Sequence, residues 1–161
     1  MLRISRLADY GTQVMTQMAS HPDRLFSTSD LATSLGLGQA TVSKVLKSLA
    51  RHDLVASVRG LHGGYSLSRP PQQITVADVV DALEDQPFGL TECSATTGIC
   101  DIETSCHVRT NWQKISLIVR RALEGVTLAD MVQPNPLERP VVLHRMRGPA
   151  TPPQPTTRSA Q

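Results

Sequence analysis

One stretch constrains the fold more than any other: QATVSKVLKSLARHD, residues 39–53, running directly into LVASVRGLHGGYSLSRPP, residues 54–71. In the first part Val42, Val45, Leu46 and Leu49 recur at spacings of three and four, which gathers them on one apolar helix face and leaves Thr41, Ser43, Lys44, Lys47 and Arg51 outside it. In the second, Val55 and Val58 open a strand, and Tyr65 and Leu67 return it around a loop holding Arg59, Gly60, His62, Gly63 and Gly64. Glycines allow the positive φ and close backbone approach that a tight reversal requires. A helix that feeds at once into a hairpin of this kind fits a winged helix-turn-helix.

The residues upstream supply the rest of that motif. Ser27 and Asp30 stand three apart ahead of Leu31, Ala32 and Leu35, an N-cap pattern, and Gly36 is the stop signal. Ile4, Leu7, Tyr10, Val14 and Met18 predict a first amphipathic helix from about residue 2 to 20. The second helix of such a pair enters the major groove, with base edges met by its early residues. Thr41, Ser43 and Lys44 are therefore the candidates for reading sequence. Lys47 and Arg51 lie further along, where solvation and phosphate contact are equally natural roles. Arg59 is a cation for a phosphate or a narrow minor groove, and His62 fits a loop contact to phosphate or water.

Beyond the wing, Thr75 caps VADVVDALED, with Val76, Val79, Val80 and Leu83 turned inward and Pro87 and Gly89 ending the run. From His107 a longer periodic segment, HVRTNWQKISLIVRRALEG, carries Val108, Trp112, Ile115, Ile118, Val119 and Leu123, and Gly125 closes it. So much apolar surface on a small body predicts a dimerisation element, hence a homodimer. Thr127 caps a last turn, LADMV. The expected fold class is mainly α: a winged helix-turn-helix with a two-stranded β wing and a long C-terminal dimerisation helix. Its expected divisions are a DNA-binding domain over 1–84, a cysteine-containing loop over 85–106, and the dimerisation helix and terminal turn over 107–133. A disordered tail is expected over 134–161, where seven of the eleven prolines fall.

Charge supports a nucleic-acid surface at one end. Residues 1–71 hold eight Lys or Arg against four Asp, whereas residues 72–133 hold four against nine acids. Double-stranded DNA is the expected partner. No apolar run long enough for a membrane span and no leader-like segment is visible, so no membrane partner and a cytoplasmic location are expected. The chain carries no glycine-rich phosphate loop, no HExxH and no nucleophile paired with a base. An enzyme with a small-molecule substrate is therefore not expected.

Three cysteines, Cys93, Cys100 and Cys106, fall within fourteen residues, separated by six and then five positions. An odd number in a polar loop argues against a disulfide framework and against inert core packing. Soft thiolates at such spacing suit an iron-sulfur cluster or zinc, and three ligands leave one to be found. Candidates are His107, Glu92, Asp101, Glu103 or a residue of the partner chain. Structural zinc, a thiol redox switch and, last, an electron-transfer role remain open on these residues alone.

The chain resembles the winged-helix family of iron-sulfur, nitric-oxide and iron-responsive regulators that includes the IscR and NsrR types. The resemblance covers residues 1–133 and rests on RISRLADYG, SKVLKSLAR, LVASVRGLHGGYSLSRPP, ITVADVVDALE, the three cysteines, and Trp112 six residues beyond the last of them. MLRISRLADYG, LTECS and VRTNWQKI are most similar to the subgroup that regulates the SUF iron-sulfur assembly operon. This implies a DNA-binding repressor, dimeric, with one cluster per subunit, 2Fe-2S ahead of 4Fe-4S, ligated by Cys93, Cys100 and Cys106. A nitric-oxide or redox-responsive regulator of the same fold is the alternative. The IscR pattern has a histidine three residues after the last cysteine, where this chain has Arg109, while His107 directly follows Cys106. Other relatives use an acidic residue of the first helix, which corresponds to Asp9 of the opposite subunit. His107 and Asp9 are thus the expected fourth ligands.

Overall fold

The computed structural model describes residues 4–60, 63–84, 88–96 and 98–133. His62 and the expected tail lie outside the described residues. The elements run α1 (Arg6–Ala19), α2 (Thr28–Leu35), α3 (Gln39–Arg51), β1 (Val55–Val58), β2 (Gly64–Leu67), a 3-10 turn (Pro71–Gln73), α4 (Val76–Leu83), α5 (Glu92–Ala95), α6 (Arg109–Glu124) and α7 (Leu128–Val132). This is the expected winged helix-turn-helix with its two-stranded sheet and long C-terminal helix. Among the described residues no helix is long and apolar enough to cross a membrane.

Local chemistry sets the helix starts. The Ser5 hydroxyl accepts a hydrogen bond from the Ala8 amide at 3.1 Å, which satisfies one of the donors left unpaired in a first turn. The helix consequently begins at Arg6, and Ile4, expected on its apolar face, lies ahead of it and is 56% exposed. At α2, Ser27 and Asp30 form a reciprocal capping box, and Gly36 ends the helix in the left-handed region at φ 65°. α3 starts from Gly38 without a side-chain cap. Its stability comes instead from Val42, Val45, Leu46 and Leu49, all essentially inaccessible to solvent.

These residues join Val14, Met15 and Met18 of α1, Leu31 of α2, and Val79 and Leu83 of α4 in one core. Gly11 lets α1 approach α4 closely, since a Cβ there would overlap the side chain of Leu83. The buried Ser48 hydroxyl of α3 donates to the Ala82 carbonyl of α4 at 2.8 Å. In the wing, β1 and β2 pair antiparallel from Val55↔Leu67 to Val58↔Gly64. A further bridge ties Phe26 to Tyr65 through two backbone hydrogen bonds of 2.9 and 2.8 Å, so the wing root is fastened to the segment entering α2.

The end of the described chain returns to this body. Val76 donates its amide to the Val126 carbonyl and Leu128 donates to the Ile74 carbonyl, both at 2.9 Å, and Leu128 is fully buried. Two features depart from the expectation. The segment read as a non-helical loop contains the single turn α5, and α6 begins at Arg109, two residues after His107, with Val108 at its cap.

Candidate nucleic-acid interface and cysteine segment

Because the apolar face of α3 is locked into the core, its opposite face has one orientation. Lys44, Lys47 and Arg51 are exposed there, and Thr41 and Ser43 are half-buried. Between α3 and the wing lies an open groove of about 830 Å3, lined by Ala40, Ser43, Lys44, Lys47, Ala50, Arg51, Ser57 and Tyr65. Three of the expected residues, Ser43, Lys44 and Lys47, thus share one surface. Thr41 lies on the same helix outside the groove lining, and Arg59 is exposed at the end of β1. Ser57 and Tyr65 were not expected in this surface. They are direct cross-strand partners, so once the register is fixed they share one sheet face, and strand alternation is the signal that points to them. Arg51 is steadied by a 3.1 Å hydrogen bond to the Ser48 hydroxyl.

The cysteines lie between α4 and α6. Cys93 on α5 is buried, Cys100 and Cys106 are half-buried in turns, and all three are free thiols. Glu103, between the last two, is 8% exposed, receives a hydrogen bond from the Gly98 amide and pairs with Arg109. Arg109, three residues after Cys106, thus makes an ion pair that braces the cysteine segment. His107 is exposed, and Asp9 is exposed on α1, accepting a 3.2 Å hydrogen bond from Gln13. The donor set has the right chemistry for an iron-sulfur cluster or zinc, being three soft thiols on one short segment. The single chain does not gather them: among the described residues no three His, Cys, Asp or Glu side chains are grouped to hold a metal ion.

One set of contacts joins this segment to α6, and another joins α6 to the body. Ser116, the single buried residue of α6, accepts a hydrogen bond from the Leu90 amide and donates to Ser94 of α5. Arg120 grips Asp81 of α4 with two nearly parallel hydrogen bonds of 2.9 and 2.6 Å, and its Nε donates to Glu124 at 2.9 Å. The Asp81 carboxylate is the main reason that the guanidinium of Arg120 is held above its already high ordinary pKa. On the outer side of α6, Val108, Trp112, Ile115 and Ile118 are 40–57% exposed. They form an apolar stripe at the expected helical spacing.

Comparison with known proteins agrees with this architecture. The family model described as "Rrf2: Iron-dependent Transcriptional regulator" matches residues 4–134. CymR of B. subtilis, the global cysteine regulator, is similar at 28% identity and a TM-score of 0.65, over 82% of this chain and 97% of that one. IscR of T. potens is similar at 30% identity and a TM-score of 0.62, over 81% of this chain and 86% of that one. CymR of Staphylococcus aureus, at 24% identity and a TM-score of 0.61 over 80% and 97%, shares the fold.

Proposed function

This chain belongs to the Rrf2 family of DNA-binding transcriptional regulators, and on that premise we propose that it is a homodimeric repressor whose hold on its operator is set by an iron-sulfur cluster. The observation that carries this reading is the trio of free thiols, Cys93, Cys100 and Cys106, on the segment that joins the DNA-binding body to α6. Cys93, Cys100 and Cys106 would hold the cluster, 2Fe-2S ahead of 4Fe-4S, with His107 or the partner's Asp9 completing the set. When bound, the cluster supplies a redox-sensitive and damage-sensitive group. Thr41, Ser43 and Lys44 read base edges, Lys47 and Arg59 hold phosphates or the minor groove, and His62 belongs to the wing contact.

Coupling between the two regions follows from their attachments. A change of shape in the cysteine segment acts on α6 through Ser116, and on α4 through the Arg120–Asp81 grip. α4 in turn holds α3 through Ser48. The factor by which the cysteine ligand changes affinity for DNA must equal the factor by which DNA changes affinity for that ligand. Genes of the SUF iron-sulfur assembly system are the regulon that the resemblance favours.

The test is anaerobic purification of the full chain, followed by its visible spectrum and by iron, sulfide and zinc per chain. Matched iron and sulfide, lost in Cys100→Ser with the thermal unfolding profile retained, is the expected result. A second reading, a thiol switch, is favoured by the same three thiols being free yet ungathered, with Cys100 and Cys106 partly open to solvent. A colourless protein without iron, whose operator binding changes on mild oxidation and recovers with dithiothreitol, would select it.

A further inference from the structure

Ser48 stands in the buried seam between α3 and α4, and each of its two side-chain hydrogen bonds can run in one direction only. A carbonyl oxygen accepts and never donates, so the Ser48 hydroxyl gives its single proton to Ala82 of α4 at 2.8 Å. A guanidinium donates and never accepts, so a lone pair of the same oxygen receives Nη2 of Arg51 at 3.1 Å. Arg51 is not needed to close its own helix. Near the end of α3 the Leu49 carbonyl accepts from the amides of His52 and Leu54, and the Ala50 carbonyl from that of Asp53. Among the described residues Arg51 makes no other side-chain hydrogen bond or ion pair, yet it lines the groove between α3 and the wing together with Lys44 and Lys47. It stands about 10 Å beyond Lys44 along the helix axis.

We propose that Arg51 is a phosphate anchor at the far end of the recognition groove and that Ser48 is its positioning residue; this rests on DNA binding through α3 and on nothing at the cysteines. Base edges are met by the early residues of a recognition helix, so a cation near its end faces the sugar-phosphate backbone. A guanidinium suits the double duty, because one N–H of its fork goes to Ser48 and the others remain for phosphate oxygens. An arginine held in place beforehand also loses less side-chain freedom on binding than one that DNA must order. The Ala82 carbonyl lies in the last turn of α4, where helix carbonyls lack helical partners, so Ser48 ties Arg51 to that turn. Asp81, the residue that Arg120 of α6 grips, is its immediate neighbour. Contacts thus run from α6 through the end of α4 and Ser48 to a cation of the groove.

The experiment measures binding of the full chain to a mixed-sequence DNA duplex over a range of salt. It compares the wild type with Arg51→Ala, Arg51→Lys, Ser48→Ala and the Ser48→Ala, Arg51→Ala double variant, with thermal unfolding of each recorded alongside. Arg51→Ala is expected to weaken binding several-fold and to reduce the salt slope by about 1 per subunit. Arg51→Lys keeps the charge without the fork, so it should keep the slope and still lose affinity several-fold. Ser48→Ala is expected to weaken binding several-fold in the wild-type background and to cost nothing further once Arg51 is alanine. An unchanged slope in Arg51→Ala, wild-type affinity in Arg51→Lys, or a Ser48→Ala loss of equal size in both backgrounds overturns the proposal. That last outcome is what a merely structural Ser48 gives, including one whose removal unfolds the chain. A wild type that leaves the duplex unbound overturns the DNA-binding reading itself, and the anchor with it.

Discussion

At Gly64 a methyl group has nowhere to go, because a Cβ would stand 2.7 Å from the Phe26 carbonyl oxygen, and backbone cannot step aside as a side-chain end can. Gly64→Ala is expected to destabilise the protein by about 1–3 kcal/mol in urea unfolding, the usual cost of overpacking, and to weaken DNA binding by shifting the wing root. On α3 the expectation is different in kind. Lys44→Ala should cost about 1–3 kcal/mol of operator binding and relax specificity at one base pair, whereas Lys47→Ala should weaken all sequences alike and reduce the salt slope by about 1. Competition binding on base-substituted operators over a range of salt separates the two. The exposure of these two side chains was legible in the sequence because the helix period alone fixes which side chains stand outside. Ser57 and Tyr65 were not, since their place in the groove depends on strand register. Ile4 was misread because apolar spacing does not reveal that the Ser5 hydroxyl starts the helix one residue later.

Helix boundaries were readable where they are made locally. The Ser27–Asp30 box of α2 and the Thr75–Asp78 box of α4 both involve residues three apart, a distance a sequence displays. Asp30 illustrates what such a box contributes. The hydrogen bond from the Ser27 amide, followed by that with the Ser27 side chain, lowers its pKa below the ordinary 3.8. A depressed carboxyl pKa stabilises the fold above the unfolded value and loses that contribution as pH falls through the native one. The stability gap between the wild type and Asp30→Asn is therefore expected to be full at neutral pH and to close below about pH 4, as followed by thermal unfolding across pH. α5 has a box of the same spacing, Thr91 with Ser94, but with a serine where α2 and α4 have an acid. A four-residue helix cannot support itself, and this one is also tied through Ser94 to Ser116 on an element more than twenty residues away.

Over the whole molecule, the class of fold was legible because wing, turn and core periodicities agree with one another. That the single chain leaves its three cysteines ungathered was not, because spacing constrains the loop between thiols without fixing its path. The apolar stripe of α6 makes its own prediction. Ile118 is 57% exposed, so Ile118→Glu should leave the unfolding midpoint of the single chain nearly unchanged. In sedimentation it should convert a dimer to a monomer, and operator affinity should fall with it, since two half-sites need two linked readers. A variant that still sediments as a dimer would remove α6 from the interface.

The backbone pairing of Thr75 with Thr127 has a further consequence for how this molecule is built. Everything between α4 and α7 is an excursion whose departure and return are moored to the same block, like the handle of a jug. A tethered appendage could swing without disturbing its anchor. A handle cannot: whatever shortens, stiffens or twists it must be taken up by its two roots, and both roots here lie in the block that carries α3. Cutting the chain after α4 would therefore remove Leu128 from the core along with the handle.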